Sequence, residues 1–355
     1  SRRTHTDLAG LPYTACQGNM SSSTSPASAI SDSGDVPVPL GVVEDCLGIL
    51  QLLSDGTVQR AVVPLVLPGT SAQTTSPVPW KDVAYDETRN LSLRMYVPST
   101  DTGKKLPVLV YFHGGGFCVG SFAMPNVHDA CLRLAAELPA VVLSVNYRLA
   151  PEHRLPAALD DVEALFSWLR GQAQAVSDAG PADFGRVFFS GDSAGANIAH
   201  HVAVRVGSGA LDAGPVRIAG YVLLWPYFGG ERRTASEAAC PPDVFLTPAL
   251  YEQMWRLALP AGASRDHPAA NPFGPESPAL DGVELPPVLV AVGDRDMLLD
   301  RIVEYVARLK AAGKHVELVE FPGQGHGFSV FEPRGEAASE LLRVVRRFVH
   351  GPAPN

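Results

Sequence analysis

Gly191-Asp192-Ser193-Ala194-Gly195 follows the apolar run Val187-Phe188-Phe189 and precedes a helix-forming segment, residues 196–203. This order of strand, tight turn and helix is typical of a nucleophile elbow, in which a serine hydroxyl stands on a sharp turn. Glycine two residues before and two residues after the serine lets the strand and helix backbones approach closely. Because the chain has 33 glycines, such a pentapeptide can arise by chance, and its interpretation depends on the rest of the sequence.

A second glycine-rich motif, His113-Gly114-Gly115-Gly116, follows a buried strand predicted over residues 106–112. Ester hydrolysis passes through a tetrahedral anion, and backbone amides of a glycine run can point at that oxygen without side-chain obstruction. We expect the amides of Gly115, Gly116 and Ala194 to form this oxyanion hole. A flexible loop or a phosphate-binding turn is the alternative, but the dinucleotide spacing and the Lys-Ser/Thr of a P-loop are both missing.

A nucleophilic serine needs a base, and the base needs a carboxylate that orients it. The acidic loop Gly293-Asp294-Arg295-Asp296 follows one predicted strand, and His326 lies in a glycine-flanked loop after the next. The order Ser, Asp, His along the chain is that of the α/β-hydrolases. The pattern leaves Asp294 and Asp296 both open as the orienting carboxylate. Asp300 instead suits the positive N-terminus of a helix predicted over residues 299–312.

These motifs, together with Asn146-Tyr147-Arg148-Leu149-Ala150-Pro151-Glu152-His153, resemble those of the hormone-sensitive-lipase-like α/β-hydrolases. Residues 43–58 and Trp80-Lys81-Asp82-Val83 are similar to the plant carboxylesterases that are related to gibberellin receptors. The resemblance spans most of the chain, from about residue 42 to residue 349.

The resemblance implies a catalytic triad of Ser193, His326 and Asp296, because the acid in these enzymes begins an Asp-x-Leu stretch, here Asp296-Met297-Leu298. It implies a serine carboxylesterase that acts through an acyl-enzyme and requires no metal or organic cofactor. Two alternatives stay open. Gibberellin receptors keep the serine but lack the catalytic histidine, whereas His326 is present here. Hydroxyisoflavanone dehydratases use the same pocket for elimination. Strigolactone-type esters, acylated specialised metabolites and xenobiotic esters are all open as substrates.

Other polar residues have structural interpretations. His200 and His201 are adjacent on the helix after the elbow, where neighbouring side chains diverge by about 100° and cannot both face one metal. We expect one in the core and the other at the surface. Glu152, His153, Asp160 and Asp161 suit turns and helix caps better than catalysis. Ser190 lacks the flanking glycines and is also expected to be structural.

Composition and charge favour a globular protein that binds small molecules. The chain has 355 residues, 46% of them hydrophobic, which is enough for one large core with a cap. A formal net charge of −9 without any Lys/Arg run predicts neither nucleic-acid nor membrane binding. The expected partner is a small-molecule ester, with the protein a monomer or a homodimer.

Five cysteines, an odd number without close paired spacing, argue against a disulfide framework and predict a reducing compartment. We therefore expect a cytoplasmic protein, with the nucleus as a further location. Residues 1–40 are rich in Ser, Thr, Pro and Gly and have no apolar stretch of signal-peptide or membrane-span length. This segment is expected to be disordered.

Strand patterns alternate with helical patterns along the remaining chain, which predicts an α/β fold with a mostly parallel sheet and helices on both faces. Polar turn residues 86–90 join the first two strands as a hairpin at the sheet edge. The predicted strands cover residues 81–85, 91–97, 106–112, 140–146, 186–190, 218–225, 287–292 and 316–321.

Two segments of the predicted hydrolase domain, residues 41–355, do not fit the alternation. They are residues 41–79 and residues 226–285, and we expect them to form a cap over the elbow. Apolar residues of the cap, together with Phe117, Phe122 and Met124, are expected to line an acyl or alcohol pocket.

Overall fold

An eight-stranded sheet forms the centre of the protein, whose computed structural model describes residues 40–64, 78–99, 103–175 and 180–351. Except for Leu40, the segment predicted to be disordered lies outside these residues. The strands are β1 (Val42–Cys46), β2 (Leu50–Leu53), β3 (Val58–Arg60), β4 (Trp80–Asp86), β5 (Leu91–Tyr96), β6 (Leu106–Phe112), β7 (Val141–Val145), β8 (Ala182–Asp192), β9 (Ile218–Leu224), β10 (Val288–Gly293) and β11 (Val316–Phe321). The helices are α1 (Pro125–Glu137), α2 (Ala157–Gln174), α3 (Ala194–Gly207), α4 (Ala235–Ala238), α5 (Pro248–Ala258), α6 (Leu299–Ala311), α7 (Phe328–Phe331) and α8 (Glu336–His350).

The strand order of the large sheet is β11-β10-β9-β8-β6-β7-β5-β4. Strands β6 to β11 pair in parallel, whereas β4 pairs with β5 and β5 pairs with β7 in antiparallel fashion. The predicted fold class is confirmed, including the hairpin at the edge. All eight predicted strands are present, and β8 begins four residues earlier than predicted.

Strands β6, β7 and β10 are almost entirely apolar because helices cover both faces of the sheet. Every residue of β6, β7 and β10 is buried, as is typical of parallel strands in such a layered arrangement. Since these strands run in one direction, the loops after β6, β8, β10 and β11 meet at one edge of the sheet. The four sequence motifs lie in these loops.

The front segment forms a separate three-stranded antiparallel sheet in the order β1-β2-β3, which the sequence analysis did not predict. It contacts α5, which lies in the second cap segment. The Arg256 guanidinium donates two hydrogen bonds to the Glu44 carboxylate, at 2.6 and 2.9 Å. The Gln253 amide donates to the Asp45 carbonyl at 2.8 Å. The two segments predicted to form the cap therefore contact each other.

Asp300 lies in the first turn of α6, where its negative charge suits the helix N-terminus as predicted. Its carboxylate also accepts a hydrogen bond from the Ser236 amide at 2.8 Å. Asp300 thus ties α6 to α4, and α4 belongs to the second cap segment.

Candidate active site

Ser193 occupies the turn between β8 and α3 with φ 54° and ψ −116°. Positive φ is uncommon for a residue with a side chain, and it reflects the sharpness of this turn. A Cβ at Gly195 would overlap the Phe112 carbonyl, and a Cβ at Gly191 would overlap the backbone of Gly195. Both glycines are therefore needed for close backbone approach, as the motif predicts. The Ser193 side chain is almost buried, with 8% of the residue exposed.

A row of hydrogen bonds joins Ser193, His326 and Asp296. The distance from His326 Nε2 to Ser193 Oγ is 2.9 Å, and that from His326 Nδ1 to Asp296 Oδ2 is 2.8 Å. Because an ionised carboxylate only accepts hydrogen bonds, Nδ1 carries the proton and Nε2 is free to accept one from the serine hydroxyl. All three residues are buried.

The structure brings Asp296 to the histidine and directs Asp294 elsewhere. Asp296 is 2% exposed, and its Oδ1 accepts a second hydrogen bond from the Leu298 amide at 2.9 Å. Asp294 is exposed, and its Oδ1 accepts a hydrogen bond from the Gly323 amide at 2.7 Å. Asp294 thus braces the loop that precedes His326, and the hydrogen bond to the imidazole comes from Asp296.

The glycine loop orients its amides through the carbonyl groups of the same peptide units. The Gly114 carbonyl accepts a hydrogen bond from His113 Nδ1 at 2.7 Å. The Gly115 carbonyl accepts hydrogen bonds from the amides of Cys118 and Val119, each at 3.0 Å. In a trans peptide the C=O and N–H groups point in opposite directions. The amides of Gly115 and Gly116 therefore point away from these hydrogen bonds.

Among the residues that the structure describes, no protein group accepts a hydrogen bond from the amides of Gly115, Gly116 or Ala194. Positive φ values of 116° at Gly115 and 59° at Gly116 shape the loop. A Cβ at Gly116 would also overlap the Met254 side chain of α5. The three amides predicted to form the oxyanion hole are therefore available as donors.

Asp192 connects the elbow to the glycine loop, a role that the sequence analysis missed. Its Oδ1 accepts hydrogen bonds from the Tyr111 hydroxyl at 2.6 Å and from the Gly114 amide at 2.9 Å. Burial raises the pKa of the Asp192 carboxyl, and these hydrogen bonds partly offset the increase. The feature of the sequence that could have indicated this role is the position of Asp192, a charged residue at the end of an apolar strand and next to the nucleophile.

His113 is buried and stacks on Tyr147 with 4.4 Å between ring centroids. The Tyr147 hydroxyl donates to the His113 carbonyl at 2.7 Å. Burial lowers the pKa of His113 to about 4, so its imidazole is neutral at pH 7. A neutral ring with its proton on Nδ1 is the form that donates to the Gly114 carbonyl.

Aromatic and apolar residues lie on both sides of the site. On the side of the glycine loop, Phe117 is buried against Trp255 of α5, with ring centroids 5.7 Å apart. On the side of the histidine, Phe331 lies next to Gly327 and contacts Phe245, with ring centroids 4.7 Å apart. Phe122, predicted to line the pocket, is buried beneath the Arg94 guanidinium at 4.9 Å.

The remaining polar candidates lie outside this arrangement. His200 is buried, as one of the two adjacent histidines was predicted to be, and its Nδ1 lies 2.9 Å from the Tyr305 hydroxyl. The prediction that the other histidine lies at the surface is wrong, because His201 is half-buried. His201 Nε2 lies 3.4 Å from the Ala269 carbonyl, which explains its partial burial. Asp161 forms an ion pair with Arg148 at 2.7 Å.

Two negative findings apply to the part of the chain that the structure describes. It contains no group of three or more His, Cys, Asp or Glu side chains suited to hold a metal ion. Neither does any of its helices combine the length and the apolarity needed to cross a membrane.

Comparison with known proteins places this geometry in context. A family profile described as alpha/beta hydrolase fold matches residues 109–330. Probable carboxylesterase 6 of Arabidopsis thaliana is 37% identical, with 87% of this chain and 92% of the relative covered. The 2-hydroxyisoflavanone dehydratase of Glycyrrhiza echinata is 35% identical, with 85% and 94% covered. The crystal structure of EstE1, a thermophilic carboxylesterase from a metagenomic library, superposes with a TM-score of 0.68 at 30% identity and covers 80% of this chain and 92% of its own.

Proposed function

The chain belongs to the family with the alpha/beta hydrolase fold, and from this premise we propose that it is a serine carboxylesterase that hydrolyses small-molecule esters through an acyl-enzyme. The observation that carries the proposal is the buried row of hydrogen bonds that joins Asp296, His326 and Ser193 at the carboxyl ends of three parallel strands. A nucleophile, a base within 2.9 Å and an orienting carboxylate are the parts that acyl transfer requires.

In the first step His326 Nε2 takes the proton of Ser193 Oγ while this oxygen attacks the ester carbonyl carbon. Asp296 stabilises the imidazolium that forms and keeps Nδ1 protonated. The negative charge that develops on the carbonyl oxygen is stabilised by the amides of Gly115, Gly116 and Ala194. The imidazolium then gives its proton to the leaving alcohol oxygen, and the acyl group stays on Ser193.

In the second step a water molecule takes the place of the alcohol. His326 Nε2 removes a proton from this water, which attacks the acyl carbon, and the tetrahedral anion again lies against the three amides. Collapse of the anion breaks the bond to Ser193 Oγ, which recovers its proton from His326. The products are a carboxylic acid and an alcohol, and the enzyme returns to its starting state.

The proposal is tested by intact-mass spectrometry and by turnover of p-nitrophenyl esters. Wild-type protein exposed to a serine-directed organophosphonate should gain one adduct and lose its activity. Ser193→Ala should gain none, and its turnover should fall by about 10³-fold or more with its circular dichroism unchanged. Ser190→Ala is the matched control, because Ser190 is buried in β8 three residues upstream, and it should label and turn over like wild type. Near-normal turnover by a folded Ser193→Ala protein would overturn the assignment.

A second candidate function is dehydration, which the likeness to the Glycyrrhiza echinata 2-hydroxyisoflavanone dehydratase supports. In that case His326 would remove a proton from one carbon atom and return it to the hydroxyl group on the neighbouring carbon, whose C–O bond breaks so that water leaves and a C=C bond forms in one intact skeleton. Product analysis separates the two: an acid plus an alcohol indicates hydrolysis, and loss of 18 Da from the substrate, the mass of one water, indicates dehydration. A folded protein that gives neither product nor adduct would favour a ligand-binding role like that of the gibberellin receptors.

Several finer points belong to the same proposal. Of the two predicted cap segments, residues 41–79 and 226–285, residues 65–77 lie outside the described residues. The described parts act as the cap over the site, and the contacts between β1 and α5 support this arrangement. Hormone esters of the strigolactone type, acylated specialised metabolites and xenobiotic esters are the substrate classes to screen.

The described cysteines Cys46, Cys118, Cys131 and Cys240 are free thiols, which supports a cytoplasmic or nuclear location. Light scattering would distinguish a monomer from a homodimer.

A further inference from the structure

We propose that Arg60, a residue of the small front sheet, is a positioning residue for the oxyanion hole. This inference rests on the proposed function and adds to it a connection between the front segment and the chemistry. Arg60 lies at the end of β3, and its side chain is 30% exposed. The guanidinium donates a hydrogen bond through Nη1 to the Cys118 carbonyl at 2.7 Å, in the loop that follows the glycine motif.

Two peptide units connect this hydrogen bond to an oxyanion donor. The Cys118 carbonyl belongs to the same peptide unit as the Val119 amide, which donates to the Gly115 carbonyl at 3.0 Å. The Gly115 carbonyl in turn belongs to the same unit as the Gly116 amide, which points in the opposite direction. These alternating hydrogen bonds and peptide units form a relay, which runs from the Arg60 guanidinium through two peptide units to the Gly116 N–H group.

A second relay reaches the same carbonyl from another direction. The Ala150 amide donates to the Phe117 carbonyl at 2.9 Å, and the Cys118 amide of that peptide unit donates to the Gly115 carbonyl at 3.0 Å. Arg60 also anchors Ala150, because its Nη2 donates to the Ala150 carbonyl at 2.8 Å, although this carbonyl belongs to the next peptide unit and not to the relay itself. Phe117, between the two relays, has a φ of 64°, a conformation that its surroundings must enforce.

The physical consequence is both geometric and electrostatic. Hydrogen-bonded peptide units polarise one another, so a positive guanidinium at the start of the relay makes the last N–H a stronger donor. It also holds the carbonyls in the orientation that directs the Gly116 amide outward. Glu152 completes the arrangement by pairing with Arg60 through two hydrogen bonds, at 2.7 and 2.8 Å, which orient the guanidinium plane.

An oxyanion contribution and simple anchoring of the front sheet make different predictions for Arg60→Gln. Loss of a whole oxyanion donor lowers kcat by about 10²–10³-fold, and Arg60 acts two peptide units away, so we expect a decrease of about tenfold. The inhibition constant of an alkylboronic acid should rise by a similar factor, because an oxygen of its tetrahedral adduct occupies the oxyanion hole. KM should change less than about twofold, since the donor acts mainly in the transition state.

The experiment compares Arg60→Gln, Arg60→Lys and the control Arg205→Gln. Arg205 on α3 likewise bonds a carboxylate, that of Glu163, and a carbonyl, that of Leu159, and its side chain is 22% exposed. We expect Arg60→Lys to recover part of kcat, because an ammonium group keeps the charge but can satisfy fewer of the acceptors. Arg205→Gln should leave kcat and the boronic acid constant unchanged and alter only the melting temperature.

Three results would be decisive against the inference. If Arg60→Gln keeps the kcat and boronic acid constant of wild type, Arg60 has no part in the oxyanion hole, although the carboxylesterase proposal stands. If Arg60→Gln and Arg205→Gln change kcat, KM and melting temperature alike, Arg60 is an ordinary anchor. If wild-type protein has no Ser193-dependent turnover, the proposed function fails, and this inference fails with it.

Discussion

The glycine loop and the histidine loop approach Ser193 from different strands, and they differ in how completely they are covered. On the glycine side Phe117 and Cys118 are buried, and the Met254 side chain lies directly against Gly116. On the histidine side Phe331 is 54% exposed and contacts Phe245, which is 47% exposed. One side is closed by the core and by α5, and the other is open to solvent.

The proposed mechanism gives this difference a meaning for substrate choice. The carbonyl oxygen must lie against the amides of the glycine side, whereas His326 must reach the leaving alcohol oxygen to protonate it. The acyl portion is therefore expected next to the closed side, and the alcohol portion next to the open side. We expect the enzyme to discriminate acyl groups more sharply than alcohols.

The largest expected decrease in kcat comes from a substitution on the histidine side. Asp296→Asn would present an N–H group to His326 Nδ1 and favour the wrong tautomer, so kcat should fall by about 10⁴-fold. Asp294→Asn is the matched control, because an amide oxygen can still accept the Gly323 hydrogen bond, and its kcat should stay within about threefold of wild type. Steady-state kinetics on one ester decides the matter. Equal losses in the two variants would mean that the loop as a whole matters and not the carboxylate of Asp296.

The next largest decrease in kcat is expected from a substitution on the glycine side. Gly116→Ala forces a side chain onto a residue with φ 59° and against Met254, which displaces an oxyanion donor. We expect kcat to fall by about 10²–10³-fold. Gly313→Ala has the same sign of φ, 72°, but nothing lies near its Cβ, so it should cost stability alone. A Gly116→Ala enzyme with normal kcat would remove Gly116 from the oxyanion hole.

A smaller effect concerns acid stability of the glycine side. The pKa of His113 is lowered from its usual 6.5 to about 4, so the folded protein favours the neutral ring. The neutral His113 ring therefore contributes to the free energy of unfolding. This stabilisation is fully present above pH 6.5 and is lost as the pH falls towards 4, because the unfolded chain takes up the proton before the folded protein does. The loss amounts to about 3 kcal/mol of unfolding free energy.

His113→Asn tests this contribution, since the Asn amide can still donate to the Gly114 carbonyl but does not titrate in this range. Urea denaturation at a series of pH values should give a shallower decline between pH 6.5 and 4 for the variant than for wild type. Other buried histidines, among them His200, add to the decline in both proteins, so the difference between the two slopes is the quantity to measure. Identical slopes would mean that His113 titrates normally in the folded protein.

The smallest effects sharpen the comparison of the two sides. Met254→Ala, which enlarges the closed side, should raise kcat/KM for octanoate esters relative to acetate esters by about tenfold. Phe331→Ala, which removes an aromatic contact on the open side, should lower kcat/KM for naphthyl esters relative to methyl esters by a similar factor. A grid of acetate, butyrate and octanoate esters of methyl alcohol and of naphthol separates the two axes. Val303→Ala, which removes another exposed apolar side chain, is the control. If both variants changed selectivity along the same axis, the assignment of sides would be wrong.

Sequence alone predicted those parts of the molecule that depend on local pattern. The strands of the large sheet are long apolar runs, and the elbow and glycine loop are recognised by glycines that the backbone geometry requires. The choice between Asp294 and Asp296 came only from family resemblance. The two residues share one loop, and the direction of each side chain depends on a turn that residue spacing does not fix.

Long-range contacts between polar residues were beyond the reach of the sequence. Arg60 contacts Cys118 across 58 residues, and nothing near Arg60 in the chain distinguishes it from an ordinary surface arginine. Strands β1 to β3 have only three to five residues each and are partly exposed, so neither an apolar run nor a clear alternation marks them. Such short strands are specified by the surface on which they pack.

The backbone of Ser193 has a consequence for the stability of this protein. A residue with a side chain at φ 54° costs about 1–3 kcal/mol, which glycine at the same position would largely avoid. A Ser193→Gly protein would therefore be inactive yet harder to unfold. Under the proposed mechanism, serine at this position therefore lowers the thermal tolerance of the chain while it supplies the nucleophile.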